Sequence, residues 1–192
     1  MSPQRSNRDD LLEGALRCLE RLPPERITAR AIAAESRANP ASIAYHFGSK
    51  DNLVTKAAIT GLDRWLEEIA ESLGDVAAVD PAIRYRRAGE AMERTRRRHA
   101  GLARTFLAAL AMAQHDERVC ELISDGFART RPSVARLLGL GGDRVGDDAA
   151  GLVLSLFYGL LFQTLLDPDL AIEGKRLQRA QARLRVLLPE SA

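Results

Sequence analysis

Between residues 9 and 22 the apolar positions Leu11, Leu12, Ala15, Leu16 and Leu19 recur three and four apart, the spacing that gathers side chains on one stripe of a helix. Ser6 or Asn7 can cap its start, and the Pro23-Pro24 pair stops it. Thr28, a capping residue type, opens a short second helix that runs through Ile32 and Ala33 to about Ser36. Only Arg37, Ala38 and Asn39 separate it from a third helix. Asn39 is its cap and Pro40 its first residue, where a missing N–H is no loss. This helix, "PASIAYH", makes barely two turns before Gly48 ends it. Ser49 then caps a fourth helix, 50–73, whose stripe of Val54, Ala57, Ala58, Leu62, Trp65, Leu66, Ile69 and Leu73 is sustained over about six turns.

The later pattern comes in longer units. Pro81 opens a helix to about His99, a second covers 101–113, and a third runs from about Asp116 to Leu138. "GLGGDRVGDD", 139–148, predicts a loop, with Asp147 and Asp148 at the positive end of a helix over 149–166 that "DPDL" closes. An amphipathic last helix, about 173–188, turns Leu177, Ala180, Leu184 and Leu187 inward and Arg176, Arg179, Arg183 and Arg185 outward. No stretch alternates as a strand does, and no segment repeats. The fold class is therefore all-α, with about nine helices.

Helix 149–166 is apolar on nearly every side. Its run "GLVLSLFYGLLFQTLL" is shorter than the ~20 residues of a membrane span and is broken by Ser155, Gln163 and Thr164. A small head of three helices cannot cover such a helix. One face is expected on the chain's own core and another on a second subunit, with Gly151, Ser155 and Gly159, four apart, allowing close helix approach.

Composition narrows the class without naming it. With 46% hydrophobic and 28% charged residues the chain suits one large or two small globular domains. Net charge is +2, and it sits in one place: residues 1–50 hold eight Arg or Lys against six Asp or Glu, while 51–192 hold twenty of each. That surplus is compatible with an anionic partner and also with an arbitrary surface patch. Cys18 and Cys120 lack a CxxC partner and read as two buried small hydrophobes. His115 and Cys120 lie five apart, on different faces of a helix, so no metal set forms. No glycine-rich phosphate loop or nucleophile motif points to an enzyme or a cofactor. The first residues lack the pattern of a signal peptide, so a cytoplasmic location is expected. "RTRRRH", 94–99, reads as a solvated helix end.

The chemistry is concentrated at residues 28–47, where a helix, a three-residue turn and a second helix make a rigid corner. Ile43 and Phe47, four apart, face inward, leaving Ala41, Ser42, Tyr45 and His46 directed partly outward. A helix so presented can enter a DNA major groove. The same corner occurs in all-α proteins that bind no DNA, and Tyr45 and His46 could equally pack.

The segment "ITARAIAAESRANPASIAYHFGSKDNL", 27–53, resembles the DNA-binding motif of the tetracycline-repressor (TetR) family of bacterial transcriptional regulators. The shared features are the threonine opening the second helix, the Ile-Ala pair within it, the aromatic-His-Phe run, and Gly-Ser-Lys followed by a Leu. The resemblance implies DNA contacts from Thr28, Arg30, Arg37, Asn39, Ser42, Tyr45, His46 and Lys50. Thr28, His46 and Lys50 would meet phosphates, Arg30 a base edge, and Asn39, Ser42 and Tyr45 bases or backbone. Three features depart from the pattern. Arg37 stands where the turn usually carries Gly, so either the turn tolerates a side chain or Arg37 adopts a left-handed conformation. Ala38 and Ala41 are smaller than usual or lack the common glycine, and Ala44 replaces a frequent tyrosine.

The resemblance further implies a head over 1–50 and a helical effector-binding and dimerisation body over 51–192. Its partners would be a double-stranded, pseudo-palindromic DNA operator, a second copy of the chain, and a small hydrophobic effector; no membrane is implied. Candidates for the effector lining are Trp65, Phe106, Leu110, Met112, Gln114, Phe127, Tyr158 and Phe162. The dimer contact is expected at Gly151, Ser155, Gly159, Leu177 and Leu184. The competing readings are a DNA-binding protein of this fold without an effector, and a helical interaction module.

Overall fold

A computed structural model describes residues 7–75, 78–184 and 186. Among these there are nine α-helices and no strand: α1 (Asn7–Arg21), α2 (Ala29–Ser36), α3 (Ala41–Phe47), α4 (Lys50–Leu73), α5 (Pro81–Thr95), α6 (Ala100–Met112), α7 (Glu117–Leu138), α8 (Arg144–Leu166) and α9 (Gly174–Leu184). Short 3-10 turns at Pro24–Arg26 and Pro168–Leu170 follow α1 and α8. Helix starts are written in side chains. Thr28, Ser49, Asp80, Asp116 and Asp143 each accept a backbone N–H of the helix they precede, satisfying donors that a helix leaves orphaned.

The head is built around one apolar cluster. Leu11, Ala15 and Leu19 of α1 meet Ile32 of α2, Ile43 of α3, and Leu53, Ala57 and Ala58 of α4. Leu102 of α6 enters the same cluster from the body. Gly14 lets α1 and α2 touch, since a Cβ there would lie 2.7 Å from Ser36 Cβ and 3.0 Å from the Ile32 carbonyl oxygen. Helix α4 is the spine. Below the head its Ile59 packs with Phe106, Val119 and Ile123, and its Trp65, Ile69 and Leu73 pack with Ala91, Ala103 and Leu161. A further cluster joins Val134, Ala135 and Leu138 of α7 to Ala150 and Leu154 of α8.

Several boundaries differ from the sequence reading, each for a local reason. Helix α5 stops at Thr95 rather than near His99; there the Thr95 hydroxyl donates to the Ala91 carbonyl (3.0 Å) and accepts the Trp65 indole N–H (2.7 Å). The "RTRRRH" segment is not merely solvated: Arg96 pairs with Glu173, Arg98 with Glu68, and His99 Nε2 lies 3.0 Å from Glu68. Helix α8 starts five residues earlier than expected, at Arg144, because Asp143 caps it within the glycine-rich loop. At 23 residues it is long and apolar enough to cross a membrane by length and composition. Ala150, Leu154 and Leu161 of its inner face are nonetheless buried in the body's clusters.

Two further expectations fail within the single chain. Leu177, Ala180 and Leu184 are not buried, since no residue of α9 is; Leu177 is half-covered and the other two are exposed. Cys18 is buried but Cys120 is exposed. Ser6, Arg185 and Leu187, assigned from sequence, lie outside the described residues.

Candidate nucleic-acid interface and effector cavity

The head's corner is held by polar stitches on top of its core. Thr28 Oγ1 accepts from the Ala31 N–H at 3.1 Å. Arg17 donates to the Glu35 carboxylate at 2.8 Å and to its carbonyl at 2.6 Å, bracing α1 against α2. Arg37 takes the left-handed option, with φ 55° and ψ 32°. The Ala38 N–H reaches back to the Ala33 carbonyl and the Arg37 N–H to Ala34, which closes α2 in a Schellman arrangement. Asn39 Oδ1 accepts from Ala41 N–H at 2.9 Å and starts α3.

Within α3, Ile43 is buried and Phe47 half-buried, and the Arg8 guanidinium sits 5.2 Å from the Phe47 ring centre. The outer side carries Ala41, Ala44 and Tyr45, and Tyr45 is 86% exposed. An aromatic ring left this open by its own chain is available to a partner. Its edge meets His46 at 4.9 Å. Thr28, Arg30, Arg37 and Asn39 are exposed; Ser42, His46 and Lys50 are half-buried. None of the eight DNA candidates is used up as core. Lys50 Nζ lies 2.6 Å from Asp51, so an incoming phosphate would have to compete with that carboxylate.

Sequence reasoning missed Asn52. Its side-chain N–H donates to the Phe47 carbonyl and its backbone N–H to Ser49 Oγ, both at 3.0 Å, which ties the end of α3 to the start of α4. The signal was present, because a polar residue three after a serine cap sits over the preceding turn.

In the body, Phe106, Leu110, Phe127, Tyr158 and Phe162 converge on one cavity of about 320 Å³. Leu154, Arg131 and Ser155 complete its lining. The other three candidates lie elsewhere. Trp65 is sealed among Phe157, His99 and Thr95. Met112 packs beside the Ile59 cluster without lining the cavity, and Gln114 is exposed in the turn after α6. Burial, with Asp63 nearby, pushes the Tyr158 hydroxyl up to about 12, so it remains a neutral donor. A larger open groove of about 660 Å³, which the sequence did not suggest, runs between α4 and α7. There Asp63 accepts from the Thr130 hydroxyl at 3.3 Å and pairs with Arg129 at 3.5 Å.

The outer face of α8 is open: Leu152 is 71% and Leu166 79% exposed, and Leu156 and Ser155 lie between them. A Cβ on Gly159 would meet nothing, whereas one on Gly151 would lie 3.1 Å from the Arg131 Nε. Among the described residues no group of three His, Cys, Asp or Glu could hold a metal ion.

Residues 11–57 match the model of the bacterial regulatory proteins of the tetR family. That span takes in α1 from Leu11, α2, α3 and the first two turns of α4. Among curated proteins no sequence matches the chain. Solved structures share its fold. A transcriptional regulator from Rhodococcus sp. RHA1 is 19% identical, with a TM-score of 0.63 over 86% of this chain and 87% of its own. A protein from Saccharomonospora viridis, solved in complex with choline, is 21% identical, with a TM-score of 0.61 over 93% and 95%. The multidrug binding protein EbrR, solved with imidazole, is 21% identical, with a TM-score of 0.58 over 98% of both chains. At these identities the likeness speaks for the fold alone. The match identifies residues 11–57 as a segment of the tetR family of bacterial regulatory proteins, set on a helical architecture that these solved structures share.

Proposed function

We propose that the protein is a cytoplasmic homodimeric repressor, released from a pseudo-palindromic operator when a small hydrophobic ligand fills the aromatic cavity. The observation that carries this reading is the double duty of α6. Phe106 and Leu110 wall the cavity, while Gly101 lies against the Leu19 carbonyl and Leu102 is part of the head's core. A ligand that favours one position of α6 therefore biases the head, by as much as its affinities for the two states differ.

The division into a head over 1–50 and a body over 51–192 follows this scheme, with α4 serving both. The exposed leucines of α8, Leu152, Leu156 and Leu166, support pairing with a second copy, with Gly151, Ser155 and Gly159 as the proposed close approach and Leu177 and Leu184 of α9 beside them. Two copies give two reading heads and a two-fold related operator. Thr28, Arg30, Arg37, Asn39, Ser42, Tyr45, His46 and Lys50 make the DNA contacts. Fold-sharing proteins solved with choline and imidazole support a body able to hold a small ligand.

The test is fluorescence anisotropy with labelled DNA flanking the protein's own gene at low salt. Binding that weakens in Tyr45→Ala and Lys50→Ala, and steeply with salt, supports the reading. Absent binding, or binding indifferent to both substitutions, refutes it. Sedimentation of the free protein as a monomer at micromolar concentration would refute the dimer.

A further inference from the structure

We propose that the effector is an aryl carboxylate, its ring stacked in the slot beside Tyr158 and its acid held by Arg131. This rests on the reading of the cavity as the effector site and adds the chemical class of the ligand.

The slot is shaped for a flat ring. Tyr158 lies between Phe106 and Phe162, its plane within 28° of one and 21° of the other, at centroid distances of 5.4 and 6.0 Å. Phe127 presents itself edge-on to both Phe106 and Tyr158, at 76° and 82°. Offset-stacked and edge-to-face contacts are the arrangements aromatic groups prefer. At about 320 Å³ the cavity sits at the small end of the ~300–1,000 Å³ range of ligand sites, which suits one or two fused rings and not a long chain.

The polar end selects the sign of charge. Among the described residues Arg131 has no ion pair and no hydrogen bond, unlike Arg129 two positions away, which pairs with Asp63. Its guanidinium is laid over Gly151, where a side chain would crowd it. Ser155 already donates its hydroxyl to the Gly151 carbonyl at 2.9 Å. Tyr158 keeps its proton throughout the working pH range. The cavity thus offers a planar cationic fork, and its lining holds no carboxylate. The nearby acid, Asp63, belongs to the groove between α4 and α7 and is engaged by Thr130 and Arg129. An aromatic cage that takes an organic cation gains from an adjacent negative charge; here the lining charge is positive, and a guanidinium fork matches a carboxylate in both geometry and sign.

The experiment compares three probes of one shape on the full-length protein at fixed salt: 2-naphthoate, 2-naphthamide and a 2-naphthyl trimethylammonium salt. Calorimetric affinity, thermal midpoint and DNA release are read for each. The acid is expected to bind about ten-fold tighter than the amide, the cation more weakly than either, and the acid to raise the midpoint. Arg131→Gln should abolish the preference for acid over amide while leaving amide binding intact, and Arg131→Lys should retain part of it. An amide or cation that binds as tightly as the acid overturns the proposal. So does a preference for the acid that survives Arg131→Gln, or an absence of binding by all three. If amide or cation binds as tightly as the acid and releases DNA, the ligand class fails and the effector reading stands. If the acid binds but leaves DNA affinity unchanged, the effector reading fails and the ligand class stands.

Discussion

Replacing Arg37 by glycine should make the protein more stable and a weaker DNA binder at once. Arg37 closes α2 with φ 55° and ψ 32°, a conformation that crowds Cβ against the backbone and costs a non-glycine residue ~1–2 kcal/mol. The same closure recurs after α7, where Gly139 has φ 70° and ψ 36° and the Leu140 N–H returns to the Ala135 carbonyl. One chain thus uses the motif twice, once with the residue the backbone prefers and once without. Glycine's looser unfolded chain takes back ~0.5–1 kcal/mol, so Arg37→Gly should gain roughly 0.5–1 kcal/mol, or about 2 °C in the melting midpoint of a chain this size.

DNA binding should move the other way. Arg37 is exposed and contributes its charge at the turn between α2 and α3. If it meets one phosphate, its loss flattens the dependence of log affinity on log salt by about 0.9, which at 0.1 M salt is roughly eight-fold in affinity. Calorimetric melting and anisotropy titrations between 50 and 200 mM salt, on the order of the range where such slopes are linear, read both quantities on the same samples. A variant that melts lower would show that Arg37 is held by contacts worth more than its strain. Unchanged affinity and salt slope would show that the strained residue makes no DNA contact.

Four other substitutions separate contributions that the structure keeps apart. Thr28→Ala removes the acceptor of the Ala31 N–H and should cost ~1 kcal/mol in urea unfolding, with Thr28→Ser restoring it. Gly14→Ala places a methyl against Ser36 and the Ile32 carbonyl; with backbone on one side it should cost ~1–3 kcal/mol, and a melting midpoint equal to the parent's would refute the packing described. Glu93→Gln should stabilise at neutral pH, since burial and the neighbouring Glu173 carboxylate raise the Glu93 pKa. A raised carboxyl adds stability below the ordinary value of 4.5 and loses it as pH climbs through the raised one, so the parent's midpoint should gain on the variant's as pH falls toward that window, by under ~1 kcal/mol at a partly solvated edge. Gly101→Ala drives a methyl into the Leu19 carbonyl and should cost ~2 kcal/mol or more while reducing the effect of any bound ligand on DNA affinity; full coupling at parental stability would refute that contact.

How far the sequence could be read depends on where the determining contacts lie. The head was legible because its signals are local: Thr28, Asn39 and Ser49 each cap within three residues, and Ile43 and Phe47 mark the inner side of α3 by spacing alone. The start of α8 was hidden because four glycines between 139 and 146 outweigh, in any propensity argument, the single Asp143 that caps the helix. Trp65 and Phe106 looked alike as apolar residues on helical stripes. Only packing sends one into a sealed contact with Thr95 and the other to the wall of a cavity. Arg131 gave no signal, because an exposed arginine on a helix is ordinary until the cavity beside it is seen. The stripe of α9 was read from periodicity, but periodicity does not say whether its partner is the same chain.

The head and body are often imagined as separate units joined by α4 alone, yet here a second connection runs beside it. Leu53, Ala57 and Ala58 of α4 lie in the head's core, so the first turns of that helix cannot tilt without moving α1 and α3. Leu102 enters the same core, and Gly61 of α4 is where it rests, with a Cβ there only 2.9 Å from one Leu102 methyl. Helix α6 is therefore wedged between α1 and α4 at its N-terminal turn and faces the cavity through Phe106, one turn further on. A closely packed interior does not deform continuously, so a shift of α6 by a fraction of an ångström has to be taken up by a rearrangement at Leu102. That rearrangement acts on both supports of the head together. A lever on α4 alone would change the angle of one recognition helix; a wedge at Leu102 also changes how firmly α1 holds it. On the proposed effector reading, coupling would depend on the small residues that bring α6 so close, Gly61 and Gly101, as much as on the residues that line the cavity.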